Sequence, residues 1–196
     1  MKIAGLLIAL LAISFSAQVV AQGVPAKSRQ QVQYQKAQER IAALNFELAP
    51  IKGSADLAIY LNENRNKSTP LDRLSKLGKK QFLESIVFTA RGVGSFDAGP
   101  LRDELTPTET HAILSLFGLQ HKTHVVKNRR IASKADNMLL SPQFCWLDPS
   151  DEDYGLCDGG GGPIGTDYPG YKCDGKANCE RSYDQTICIG DNCGKK

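Results

Sequence analysis

Three features of the 196-residue chain predict a mainly α fold, a small bundle of four to six short helices followed by a disulfide-stapled, loop-rich C-terminal tail. Apolar residues recur at helical spacing behind cap residues from Ser28 to Gly118. All six cysteines fall in the last quarter, at Cys145, Cys157, Cys173, Cys179, Cys188 and Cys193. The N-terminus reads as an export signal, which assigns those cysteines to an oxidising compartment.

The signal comes first in the chain. Lys2 supplies a positive start, Ile3 to Phe15 is apolar apart from Ser14, and Val19-Val20-Ala21 places small or modest residues where a signal peptidase reads them. Thirteen residues fall short of the roughly 20 that a spanning helix needs, so cleavage after Ala21 and no transmembrane anchor afterwards are expected. The predicted divisions are a signal peptide at 1–21, a basic helical domain at 22–131, a linker at 132–144 and an acidic cysteine-rich module at 145–196. Charge follows the same division. Residues 142–196 hold five Lys/Arg against ten Asp/Glu, whereas residues 22–141 hold eighteen against eleven. Opposite signs favour docking of the two regions onto one another, and the alternative reading is that the positive face of the body meets an anionic partner or surface.

A first, mostly exposed helix is predicted from Ser28 to Leu44, where Gln, Lys, Arg and Ala dominate. Phe46, Leu48 and Ile51 around Pro50 read as extended, and Ser54 caps a short helix with Leu57, Ala58 and Leu61 on one face, ending by Asn62 to Asn66. Two related units follow. Ser68-Thr69-Pro70 opens the first, with Leu71, Leu74 and Leu77 as its stripe and a second helix after Gly78 that carries Phe82, Leu83, Ile86 and Val87. About 31 residues on, Leu101 and Leu105 lead into Thr106-Pro107-Thr108-Glu109, a capping box that opens the helix of Ile113, Leu114, Leu116 and Phe117. The connection from Gly92 to Leu101 reads as a turn between packed helices. A calcium hand is excluded there, because Pro100 stands where the bidentate glutamate is required.

No catalytic constellation is legible, and the protein is read as leaning away from enzymes. No Gly-x-Ser-x-Gly turn, His-Glu-x-x-His helix or phosphate-cradling loop is present. His121 and His124 have metal-like spacing but lie among Lys122, Lys127, Arg129 and Arg130, which repel a cation, so a solvated loop is expected. Lys127-Asn128-Arg129-Arg130 reads as part of an exposed linker that proteases could nick.

In the tail, Asp148, Asp151, Glu152, Asp153 and Asp158 crowd around Cys157, and a glycine run fills 159–162. Apolar content is too low to fold without crosslinks. Three disulfides are expected to provide them, with 15 pairings open. Zinc is disfavoured because no Cys-x-x-Cys pair occurs.

The stretch Tyr171-Lys172-Cys173-Asp174-Gly175-Lys176-Ala177-Asn178-Cys179, followed by Asp184-Gln185 and Cys188, resembles the C-terminal half of an LDL-receptor class A repeat. In that family the turn and the later acidic residues hold calcium, which implies Asp174, Asn178, Asp184 and Gln185 as ligands here. Two of the family's carboxylates are amides in this chain, so the resemblance implies a weak site. No other cofactor is indicated.

Three functional classes are compatible with these observations. The first is an exported, non-catalytic interaction or structural protein of the periplasm or extracellular space, with the cysteine-rich module touching a protein or cell-surface component. The second is a precursor of a secreted cysteine-rich peptide, bacteriocin-like or inhibitory, with a helical pro-segment. The third is an extracytoplasmic enzyme. The tail's net negative charge disfavours attack on anionic lipid, and nothing indicates specific nucleic-acid binding.

Overall fold

The computed structural model describes residues 29–140, 167–175, 178–182 and 184–194. The signal segment, the acidic cluster, Cys145, Cys157 and the glycine run lie outside them. Among the described residues there are eight α-helices and six strands.

Helix α1 (Arg29–Leu48) is longer than expected and takes in Phe46 and Leu48, which the sequence assigns to extended chain. Its C-terminal turns lie across the helical layer, and Leu44 and Leu48 remain exposed. Helix α2 (Ser54–Glu63) begins at Ser54, but Gly53 is the capping residue, and Lys52 N–H donates to Asp56 Oδ2 at 2.9 Å instead of a serine cap. Leu57 and Leu61 lean on the core as expected, with Tyr60 rather than the exposed Ala58 beside them.

The two related units have matching starts and differ in how the start is completed. A 3-10 turn at Pro70–Arg73 follows Thr69, whose N–H and hydroxyl both donate to Asp72 Oδ2. Helix α3 (Lys76–Ser85) is capped by Ser75, whose hydroxyl accepts from Gly78 N–H at 3.0 Å. Helix α4 (Gly99–Glu104) leads to α5 (Pro107–Ser115), where Thr106 and Glu109 form the predicted capping box. Position N3 of α3 is Gly78, which has no carboxylate to close such a box. Glu104 supplies it from α4, accepting from Ser75 N–H at 2.6 Å and Ser75 hydroxyl at 2.9 Å. A Cβ on Gly78 would collide with that carboxylate, so the glycine makes room for a box completed in space.

The fold differs from a helical bundle at residues 87–97. Strand β1 (Val87–Thr89) and strand β2 (Gly92–Asp97) replace the predicted turn and the end of the predicted second helix. Strand β6 (Thr186–Cys188) pairs antiparallel with β2, Phe96 opposite Ile187, and β3 (Tyr168–Pro169) pairs with its other edge. The sheet order is therefore β1-β2-β6-β3, with two strands from the basic region and two from the cysteine-rich region. Strand β4 (Tyr171–Cys173) and β5 (Cys179–Arg181) form a separate hairpin, and α8 (Gly190–Cys193) closes the chain against β2.

One core holds these layers together. Phe82 meets Phe96 and Phe117 edge-on at 5.8 and 5.9 Å, and Ile187 and Ile189 join the same cluster as Leu101, Leu105, Ile113 and Leu114. The apolar stripe of the first unit is partly corrected. Leu71 and Leu74 are buried, but Leu77 is 66% exposed, because Lys76–Ser85 turns that side of α3 to solvent.

Candidate functional site

The region where the C-terminal segment meets the helical layer concentrates the chain's unusual polar chemistry. The turn after α5 closes at Gly118, which adopts φ +72° and approaches the α1 backbone so closely that a Cβ would sit 2.8 Å from Phe46 Cα. The 3-10 turn Gln120–Lys122 and helix α6 (Thr123–Val126) follow. This turn aims Lys122 at the C-terminal segment. Its Nζ lies 2.9 Å from Asp167 Oδ2 and 3.8 Å from Asp191 Oδ2.

Burial makes this triad unlike the surface ion pairs. The Lys122 and Asp167 side chains are 13% and 9% exposed, whereas Asp191, in the first turn of α8, is 53% exposed. Asp167 Oδ1 is buried with no hydrogen-bond partner. Loss of solvation pushes the Asp167 carboxyl above the usual carboxylate range and Asp191 adds to the rise, while Lys122 and a hydrogen bond from Gly190 N–H oppose it. A cleft of about 40 Å³ opens beside the triad, lined by Phe46, Phe117, Leu119, His121, Ile189 and Asn192 among others. It has room for a few waters, not for a metabolite.

His121 borders this cleft and is half-buried instead of lying in a solvated loop. Asn45 Nδ2 lies 3.2 Å from its Nδ1, and since an amide nitrogen only donates, Nδ1 accepts and the ring is neutral. Burial, Lys122 and His124 together lower its pKa to about 4. His124 is exposed, and among the described residues no third His, Cys, Asp or Glu ligand joins the pair.

The basic stretch at 127–130 is docked rather than a free linker. Asn128 is buried, and its Nδ2 donates to Leu101 O, Leu105 O and Thr110 Oγ1 at 2.8, 3.0 and 2.7 Å. Arg129 N–H bonds Arg102 O at 3.0 Å, and the Arg130 guanidinium reaches Glu104 O. Beyond it, α7 (Lys134–Leu140) lies within the expected linker and packs on α5. Buried Asp136 anchors it. One carboxylate oxygen accepts from Thr108 N–H and hydroxyl, and the other from Ala132 N–H, Ser133 N–H and Ser133 hydroxyl.

The tail's cysteines form Cys173–Cys193 and Cys179–Cys188, two of the bonds expected from the sequence, tying the hairpin to α8 and β6. Gly94 lets the first of them sit against the sheet, since a Cβ there would lie 2.9 Å from Cys173 Sγ. The sulfurs of Cys173, Cys188 and Cys193 lie within 4.8 Å of one another. All three are consumed by disulfides and offer no thiolate to a metal.

The calcium candidates fall into two local pairs. Asp174 Oδ1 accepts from Asn178 N–H at 3.0 Å across the hairpin turn. Asp184 is paired with the Ser182 hydroxyl at 3.4 Å in the turn leading to β6, where Gln185 O accepts from Ala98 N–H at 3.1 Å. Asp174 and Asn178 are thus joined across one turn, Asp184 is held by Ser182, and Gln185 is tied to the residue before α4.

Sequence reasoning missed the Lys122–Asp167–Asp191 triad. The one available signal was the opposite charge of the two regions, which predicts docking without saying which residues meet. Comparison with family models, characterised proteins and solved structures finds no match to this chain.

Proposed function

We propose that the chain is an exported, non-catalytic interaction or structural protein of the periplasm or extracellular space, and that the β4–β5 hairpin is its contact surface. The observation carrying this reading is the double pinning of that hairpin. Cys173 and Cys179 face each other where the strands meet the turn, and each is bonded to a different element, α8 or β6. A recognition surface held in this way loses little conformational entropy when a partner binds.

The hairpin presents Lys172, Glu180 and Arg181 to solvent. At its base Tyr168 is exposed and leans on Tyr171 at 5.7 Å, an aromatic pair of the kind enriched at protein interfaces. Two disulfides fit an oxidising compartment, and no helix among the described residues is long and apolar enough to cross a membrane.

The test is capture from cell-envelope and culture-fluid fractions with three baits: the oxidised protein, the reduced protein, and an oxidised Lys172→Glu, Arg181→Glu variant. A component held by the first and lost from the other two supports the reading. Equal capture by all three baits, or none by any, rejects it.

A further inference from the structure

Lys122–Asp167 is the most deeply buried ion pair among the described residues, and it joins the helical layer to the start of the C-terminal strands. Burying two charges costs solvation that their attraction seldom repays unless every remaining polar atom is also satisfied. Here Asp167 Oδ1 has no partner. Both side chains are largely shielded from solvent, and a second carboxylate, the half-exposed Asp191, stands at the mouth of the site. These are the requirements for condensing an amine with a carboxyl group: a neutral nucleophile, a neutral acid, a proton carrier and fixed proximity.

We propose that Lys122 Nζ and Asp167 Cγ are joined by an intramolecular amide, formed with Asp191 as the proton carrier, so that the chain carries a second kind of covalent staple between its helical body and its C-terminal segment. Nζ at 2.9 Å from Oδ2 is already beside the carbon it attacks. The first event moves a proton from the lysine ammonium to the Asp167 carboxylate, giving amine and acid. The Nζ lone pair then forms the N–C bond, and the C=O electrons move onto oxygen. Asp191, 3.8 Å from Nζ, takes the proton released by nitrogen and returns it to the departing hydroxyl. The C–O bond breaks, the carbonyl re-forms and one water leaves toward the adjoining cleft. One ammonium and one carboxylate become one amide plus water, with no oxidant and no cofactor.

Burial favours the neutral acid from which this reaction starts, in keeping with the upward displacement of the Asp167 carboxyl. The product removes both buried charges. The crosslink would also resist reductants, unlike the two disulfides.

Intact-mass measurement of the purified full chain, after reduction and alkylation of every cysteine, tests the proposal. The expected mass is one water below that of the processed sequence. Tandem mass spectrometry should then find a branched peptide joining Lys122 to Asp167. Lys122→Arg should restore the full mass, and Asp191→Asn should do so while both disulfides and the circular dichroism spectrum stay unchanged. A wild-type chain of full mass overturns the proposal. A missing water that maps instead to a succinimide at Asp158-Gly159 or Asp174-Gly175 does the same, and an Asp191→Asn chain crosslinked as fully as the wild type removes Asp191 from the mechanism.

Discussion

Replacing Asn128 with alanine tests whether the basic stretch is part of the fold. The amide bridges the end of α4 to α5, so truncating it removes three hydrogen bonds at once. Leu101 O keeps the Leu105 N–H at 3.3 Å, but Leu105 O loses the Asn128 amide. A stranded buried carbonyl costs about 1–3 kcal/mol and each ordinary hydrogen bond about 1 kcal/mol; because two N–H groups are shared among three acceptors and the variant also removes the unpartnered Asn128 Oδ1, the sum stays at the low end, roughly 3 kcal/mol. That magnitude lowers the melting temperature by about 6–12 °C in a chain of this size. It also raises the population of any opened form by about 100-fold. Urea denaturation measures the first effect. Limited trypsin digestion measures the second as faster cutting after Lys127, Arg129 and Arg130. If the variant stays within about 0.5 kcal/mol of wild type and trypsin cuts both equally fast at these sites, the docking argument fails and 127–130 is a solvated linker.

Gly118→Ala should cost at least about 1–2 kcal/mol from the left-handed backbone alone, with more from pushing α1 away, and should appear as faster amide exchange in the last turns of α1. Hydrogen bonds from Thr108, Ala132 and Ser133 hold the Asp136 carboxyl far below its ordinary value. Because the folded pKa is depressed, its contribution is present above the unfolded value of about 3.9 and is lost as pH falls below it. Asp136→Asn should flatten that acid limb in denaturation curves taken from neutral pH downward, and an unchanged limb would assign the acid sensitivity elsewhere. His121 should titrate near pH 4 by NMR. An unfolded histidine takes its proton near 6.5, so the unfolded state binds more protons between these values and stability rises with pH across that window; a His121 midpoint near 6.5 contradicts its burial. Paired serine substitution at Cys173 and Cys193 should destabilise the protein by about 3 kcal/mol, measured by denaturation without reductant, and disulfide mapping should return Cys179–Cys188 intact.

The sequence by itself determined the local features of this protein. Thr106 and Glu109 are three residues apart, Ser75 precedes its helix directly, and Leu71, Phe82, Ile113 and Leu114 recur at helical spacing, so the caps and much of the core are written in short windows. The cysteine distribution likewise located the crosslinked segment, though not its pairing. What only the tertiary structure decided depends on groups far apart in the chain. Strand β2 reads Gly-Val-Gly-Ser-Phe-Asp, poor in strand-forming residues, and is a strand because β1 and β6 flank it and a disulfide fills the space its glycine leaves. Strands of two or three residues carry no period to detect. The carboxylate that completes the start of α3 comes from α4, and the partners of Lys122 come from beyond the glycine-rich segment. Charge composition implied that the two regions attract. The position of Lys122 against Asp167 and Asp191 was set by the turn at Gly118 and the pairing of β6 with β2, long-range geometry that no local pattern encodes.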